Sequence, residues 1–145
     1  MIEISGDIMK EPKNYIRVIH GNVAQYDGDS RYFQRIGKGA FAWQNGDTVP
    51  LLYRKKSEIN GHYIGYAKLK ITDDAIDSVC YILDTQFGKM ARDRIDSEKR
   101  YEFSIHADNV IYKQDEIGRS IVSDGEICEV HFIPRSSDLL HNLEE

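Results

Sequence analysis

The strongest constraint on the fold of this chain is a period of two in the polarity of its residues. In residues 63–71, alternate positions are occupied by Tyr63, Gly65, Ala67, Leu69 and Ile71, while Lys68 and Lys70 fall between the last three. Successive side chains of a β-strand point to opposite faces, so this alternation predicts a strand with one face on a core. Further strand candidates are residues 15–20, 32–36, 49–53, 76–83, 100–106, 110–113, 119–122 and 126–133.

A single stretch departs from this period. Its apolar and long side chains recur at helical spacing, and Thr85 stands where a helix N-cap is expected. These residues are Phe87, Met90, Ala91, Arg94 and Ile95. Many short strands with one clear helix predict a mainly β, β-rich α+β fold, with an antiparallel barrel-like core and one or more flanking helices.

Length and composition indicate one soluble domain. The 145 residues contain only three prolines, so no linker is expected to divide residues 1–145, and the core is expected at about 15–138. The net charge is −5 and no basic stripe stands out, which argues against nucleic-acid binding. No apolar run is long enough for a membrane span. Residues 1–10 contain Glu3 and Asp7 and lack the apolar region of a signal peptide, so we expect a cytoplasmic protein.

Metal and cofactor chemistry have little support in the sequence. Cys80 and Cys128 are the only cysteines and form no CxxC, so neither a disulfide framework nor a zinc site is expected. Both cysteines lie in apolar runs, which predicts small buried core residues. The histidines form no compact pair, so we expect no metal, and no cofactor motif is present.

Residues 101–106 could carry a nucleophile. In a strand, Glu102, Ser104 and His106 point to one face, while the intervening apolar residues pack on the other. A serine with an acid and a histidine on its own face could belong to a catalytic site. Spacing alone favours a solvated strand face, because neighbours at i±2 lie too far apart to form a triad.

Residues 126–133 place Glu129 and His131 on one face of an otherwise apolar strand. Buried polar groups need partners, so these two side chains, paired with Ser104 across a ladder, could orient and activate it. A salt-bridged or solvent-facing pair is the alternative, and the sequence leaves both interpretations open.

Taken in order, these segments resemble the prohead protease family of tailed bacteriophages, whose fold is shared with herpesvirus assemblin. The resemblance covers roughly residues 15–138. It rests on short motifs whose order and spacing together carry more weight than any one of them. The motifs are Ile19-His20-Gly21, Asp27-Gly28-Asp29, Gly39-Ala40-Phe41, Val49-Pro50-Leu51-Leu52-Tyr53, Ile64-Gly65-Tyr66-Ala67, Phe103-Ser104-Ile105 and Glu129-Val130-His131-Phe132-Ile133-Pro134.

The chain departs from the family where the general base should stand. Arg54-Lys55-Lys56 replaces the family's histidine, His106 stands where glycine is usual, and His131 replaces a serine. In one interpretation His131 or His106 is the base for Ser104. In a second, Lys55 or Lys56 is the base, which requires burial or a cationic neighbour to lower the amine pKa. In a third, the domain is inactive and keeps the fold for assembly.

The resemblance implies a serine endopeptidase that cleaves scaffold and capsid proteins inside the procapsid, in the host cytoplasm. Ser104, Glu129, His131 and Lys56 are the expected catalytic residues. The alternative is an inactive structural or assembly factor of the phage head. The expected partners are phage capsid and scaffold proteins, and a homodimer is implied by the resemblance alone. Neither nucleic acid nor a membrane is an expected partner.

Overall fold

The computed structural model describes residues 14–25 and 35–135, and it is mainly β. Its strands form one six-stranded sheet in the order β1-β4-β3-β2-β6-β5. The strands are β1 (Tyr15–Gln25), β2 (Thr48–Tyr53), β3 (His62–Ile71), β4 (Ala75–Leu83), β5 (Tyr101–Gln114) and β6 (Ser120–Pro134). A short 3₁₀ helix (Ala42–Gln44) precedes β2, and α1 (Gln86–Asp96) follows β4. The predicted β-rich α+β class is confirmed.

The sheet is mixed rather than wholly antiparallel. Four of its neighbouring pairs are antiparallel, but β2 and β6 run parallel, with Leu51 opposite Val130 and Tyr53 opposite Phe132. Pro50 is paired with Tyr66 of β3 and directly precedes Leu51, the first residue of β2 that is paired with β6. Because proline has no backbone N–H to donate, it suits the point where this parallel ladder begins.

The sheet curls around its core without closing into a barrel. Its two outer strands approach each other at Gly21 of β1, where a β-carbon would lie only 2.6 Å from the ring of Phe103 in β5. The concave face is apolar, and fully buried side chains come from β2, β3, β4 and β6 and from the segment before β2. Large examples are Phe41, Leu51, Ile64, Leu69, Ile76, Ile82, Val130 and Phe132. The predicted barrel-like core is thus present as an open, curled sheet.

The helix forms where the sequence predicts it. Thr85 is the N-cap of α1, and its Oγ1 accepts a hydrogen bond from the Gly88 amide at 2.9 Å. The face of α1 that contains Ala91 is buried, with Phe87 and Ile95 packed against the core.

Several short strand candidates are parts of two long strands. The candidates at 100–106 and 110–113 lie in β5 except for Arg100, and those at 119–122 and 126–133 lie in β6 except for Arg119. Together β5 and β6 form one hairpin, with a turn at residues 115–119. The candidate at 32–36 lies largely outside the described residues; its last residue, Ile36, forms an isolated bridge with Val122.

The prediction that Cys128 is a buried core residue is wrong. The ladder pairs His106 with Glu129 and then Ala107 with Ile127, so the intervening Cys128 lies in a bulge. Because of the bulge, Cys128 does not point to the buried face as the alternation predicts, and its thiol is partly exposed. Cys80 is fully buried, as predicted.

Candidate functional site

The candidate site lies on the convex face of the sheet, where β5, β6 and β2 meet. Ser104 of β5 is directly opposite His131 in the β5–β6 ladder, and Leu52 of β2 is opposite the same histidine in the β2–β6 ladder. Directly opposed residues point to the same face of a sheet. Ser104, His131 and Glu129 are therefore brought to one face, as the sequence predicts.

His131 is buried and both of its ring nitrogens have partners. Its side chain is 7% exposed. Arg54 Nε lies 2.7 Å from His131 Nδ1, and Glu129 Oε1 lies 2.9 Å from His131 Nε2. A guanidinium can only donate, so Nδ1 must be the acceptor, and the proton of the neutral ring is on Nε2, where it is donated to Glu129. We call Arg54, His131 and Glu129 the polar cluster.

Arg54 connects the polar cluster to the loop of residues 54–61, which joins β2 to β3. Its Nη1 donates to the carbonyl oxygens of Lys55, Lys56 and Glu58 at 3.3, 3.4 and 3.2 Å. Arg54 is buried, and its backbone N–H donates to Phe132 O at 3.1 Å. One side chain therefore holds the start of this loop against β6.

The surroundings of His131 favour the neutral imidazole. Burial lowers the pKa of His131 below its usual value, and the positive charge of Arg54 acts in the same direction. Glu129 opposes these effects through its hydrogen bond and its charge, but the net direction is downward. His106 contributes a further small lowering.

Ser104 lies beside His131 but is not hydrogen-bonded to it. Its Oγ donates to Ile105 O at 3.4 Å, and the residue is only 3% exposed. A nucleophilic serine needs a base that accepts its proton and a path for the substrate. In this arrangement the imidazole lone pair of His131 is engaged by Arg54, and Ser104 is shielded from solvent.

His106, the second candidate base, has a different environment on the same face. Its ring stacks parallel to that of His131 with centroids 6.2 Å apart, and its side chain is 58% exposed. Its Nε2 lies 3.6 Å from Asp108 Oδ1. No hydrogen bond joins it to Ser104, whose hydroxyl is directed to the Ile105 carbonyl.

Lys56, the third candidate base, is exposed, as is Lys55. Only a buried lysine, or one beside another cation, is expected to act as a neutral base. The backbone carbonyl of Lys56 faces the polar cluster and accepts a hydrogen bond from Arg54, while its side chain lacks the burial that the Ser–Lys interpretation requires.

Arg54 is the residue that the sequence interpretation missed. The sequence places it only in the Arg54-Lys55-Lys56 run that stands where the resemblance expects a histidine. The signal was present in the alternation of β2, because Arg54 is two residues beyond Leu52 and therefore continues on the face that carries His131. What the sequence could not give was the neighbour of β2, since Arg54 and His131 are 77 positions apart.

Other kinds of site find no support in the described residues. In residues 14–25 and 35–135, no group of three or more His, Cys, Asp or Glu side chains is arranged to hold a metal ion. No helix in the same residues has the length and apolar character needed to cross a membrane. The Asp27-Gly28-Asp29 turn of the family motif lies outside the described residues.

Comparison with known proteins finds no relative of this chain. No protein-family model, no curated protein and no solved structure matches this chain. The resemblance to prohead proteases is therefore a prediction from the sequence motifs alone.

Proposed function

We propose that this chain is an assembly factor of the phage head that keeps the fold of a prohead protease without its proteolytic activity. Its partners are the capsid and scaffold proteins, which it meets inside the procapsid in the host cytoplasm. The phage context comes from the sequence motifs. The loss of activity is supported by the geometry of the polar cluster.

One observation supports the inactive state most directly: both nitrogens of the His131 ring are engaged. With Nδ1 accepting from Arg54 and Nε2 donating to Glu129, the imidazole has no lone pair for the proton of Ser104. Loss of the general base lowers the rate of a serine hydrolase by several orders of magnitude. The burial of Ser104 supports the same conclusion, because a peptide bond could not reach its Oγ without a rearrangement.

The proposal is tested by co-expressing the chain with its cognate capsid and scaffold proteins. We expect heads to assemble equally well with the wild type and with Ser104→Ala, and to fail when the chain is omitted. Gel analysis should show the same capsid and scaffold fragments with both forms. Cleavage that occurs with the wild type and disappears with Ser104→Ala would refute the proposal.

A second candidate function is a serine endopeptidase that is dormant in this conformation. It is favoured by the register of β5 and β6, which places Ser104 directly opposite His131 and on the same face as Glu129. For this function Arg54 must leave Nδ1 before His131 can accept a proton.

A fluorophosphonate probe, which labels activated serines, separates the two candidates. If Arg54 only masks a competent site, Arg54→Met should be labelled at Ser104 while Arg54→Met/Ser104→Ala should not. If the site is inactive, as we propose, neither variant should be labelled. Circular dichroism of both variants shows whether the fold is retained.

A further inference from the structure

The contact between Arg54 and His131 has a consequence that does not depend on catalysis. We infer that this contact is sensitive to acid: protonation of His131 releases Arg54 and thereby loosens the attachment of the loop of residues 54–61 to β6. This inference goes beyond the proposed function, because it holds whether or not Ser104 is a nucleophile.

The hydrogen bond between Arg54 and His131 can have only one direction. Arg54 Nε carries a proton and cannot accept, so the 2.7 Å contact exists only while His131 Nδ1 has a free lone pair. A proton on Nδ1 would place two N–H groups and two positive charges against each other in a buried position. Such an arrangement is strongly unfavourable, so the guanidinium must move.

An attraction to Glu129 offsets the repulsion between Arg54 and a protonated His131. Glu129 accepts from Nε2 on the other side of the ring, and its carboxylate stabilises the imidazolium once it forms. His131 therefore stays attached to Glu129 when it is protonated, and Arg54 is the partner that is displaced. Glu129 is 35% exposed, so this end of the polar cluster is accessible to water.

The remaining charged groups around His131 come from β5 and from the loop. On β5, His106 stacks on His131 and has Asp108 as its own neighbour. In the loop, Glu58 accepts from the Lys55 amide through Oε1, has Oε2 4.0 Å from His62 Nε2, and accepts from Arg54 through its carbonyl oxygen. A protonated His106 would disfavour the imidazolium of His131, so it delays the release of Arg54 rather than causing it.

The guanidinium of Arg54 also binds the loop. Three carbonyl oxygens of residues 55–58 accept hydrogen bonds from the Nη1 of this one side chain. When the guanidinium is displaced, these carbonyls lose their buried donor. The turn closed by Glu58 N–H and Lys55 O, together with the Arg54 amide on Phe132 O, is then expected to open more often.

Amide hydrogen exchange at a series of pH values between 8 and 5 tests the inference. Protection factors of the Arg54 and Glu58 amides are normalised by intrinsic exchange rates and compared with amides of the β3–β4 ladder. We expect the two reporter amides to lose about tenfold in protection on acidification, the scale of one hydrogen bond to a charged group, while the ladder loses less. Equal loss in the loop and in the ladder would overturn the inference.

Two substitutions assign the effect to one histidine. His131→Gln removes the titrating ring and should abolish the pH dependence, whereas His106→Gln, the matched control on the same face, should retain it. Should His131→Gln fail to fold, Glu129→Gln serves instead: without its carboxylate the imidazolium is less stable, so the loss of protection moves to lower pH. The inference is contradicted if the pH dependence of protection disappears in His106→Gln. It is also contradicted if this pH dependence is unchanged in both His131→Gln and Glu129→Gln.

Discussion

Polar residues that alternate with apolar ones are exposed along β3, whereas two of them are buried side by side in the β5–β6 ladder. In the β1–β4–β3 half of the sheet, Lys68 and Lys70 follow this alternation and face solvent. In the β2–β6–β5 half, Ser104 and His131 follow it equally well, yet they are 3% and 6% exposed. The difference teaches that alternation identifies the two faces of a strand but does not tell whether the polar face is covered.

The two halves are therefore stabilised differently. The β1–β4–β3 half depends on apolar packing and on a close backbone fit between strands. The β2–β6–β5 half depends in addition on the polar cluster, since buried polar groups are stable only when they are paired.

The largest effect is expected from Gly65→Ala in the β1–β4–β3 half. Gly65 has φ of +156°, and a β-carbon there would lie 1.8 Å from the Tyr81 carbonyl oxygen in β4. The neighbouring strands would have to separate, so we expect the free energy of unfolding to fall by about 4 kcal/mol. Denaturant unfolding measures it.

Gly118→Ala is the matched control for this prediction. Gly118 also has a positive φ, of +84°, but nothing lies within 4 Å of a β-carbon placed there. We expect a loss of only about 1 kcal/mol, which reflects backbone strain alone. Equal losses at both glycines would show that the close approach of β3 and β4 is not what makes Gly65 necessary.

The next effect is expected from Arg54→Met in the β2–β6–β5 half. The substitution keeps an unbranched side chain but leaves His131 Nδ1 and the loop carbonyls without their donor. We expect the free energy of unfolding to fall by about 2 kcal/mol, the range for hydrogen bonds from a charged group. Thermal or denaturant unfolding provides the measurement.

Arg17→Met in β1 is the control for Arg54→Met. Arg17 pairs with Asp96 at the surface, where both side chains are more than a third exposed. Exposed ion pairs contribute little, so a change within about 0.5 kcal/mol is expected. If Arg17→Met were as destabilising as Arg54→Met, burial of the polar cluster would not be the source of its contribution.

A smaller effect is the pH dependence of stability that His131 imposes. The pKa of His131 is lowered in the folded chain, by burial first and also by Arg54, so the unfolded chain binds the proton more readily. The contribution of His131 is fully present above the unfolded value of about 6.5 and is lost as pH falls below it. We therefore expect the free energy of unfolding of the wild type to decrease more steeply between pH 7.5 and 5 than that of His131→Gln. Parallel curves would mean that the histidine is not held neutral.

The smallest effect concerns the two thiols. Burial raises the pKa of Cys80 to about 12, whereas Cys128 lies in the β6 bulge and is partly exposed. Burial and the neighbouring Asp108 also raise the pKa of Cys128, so its alkylation should be slow but detectable. We expect iodoacetamide to modify Cys128 in the native protein and Cys80 only after denaturation, as read by peptide mass spectrometry. Native modification of Cys80 first would contradict the register of β4.

The sequence predicts the local elements well because their causes are local. The alternation of residues 63–71 and the Thr85 cap with the helical spacing behind it depend on near neighbours, and both are found as β3 and α1. The parallel pairing of β2 with β6 depends on residues far apart in the chain, and no local pattern specifies it. Arg54 could therefore be placed on the correct face, but not against His131.

The site was predicted in the same partial way. Ser104, Glu129 and His131 share a face because strand periodicity and the β5–β6 register bring them there. The hydrogen bond at His131 Nδ1 comes from Arg54, directly after β2, and it makes the histidine an acceptor for arginine instead of for serine. Arg54, directly after β2, thus sets the hydrogen bonding of a residue on another strand.

The tautomer of His131 tests the central claim most directly. Long-range ¹H–¹⁵N correlation spectra at pH 7.5 identify the protonated nitrogen of each imidazole, with His131→Gln providing the assignment. The structure predicts a neutral His131 with its proton on Nε2 and with Nδ1 as a hydrogen-bond acceptor. A proton on Nδ1, or a fully protonated ring at this pH, would contradict the Arg54 contact and with it the proposal that Ser104 is not activated.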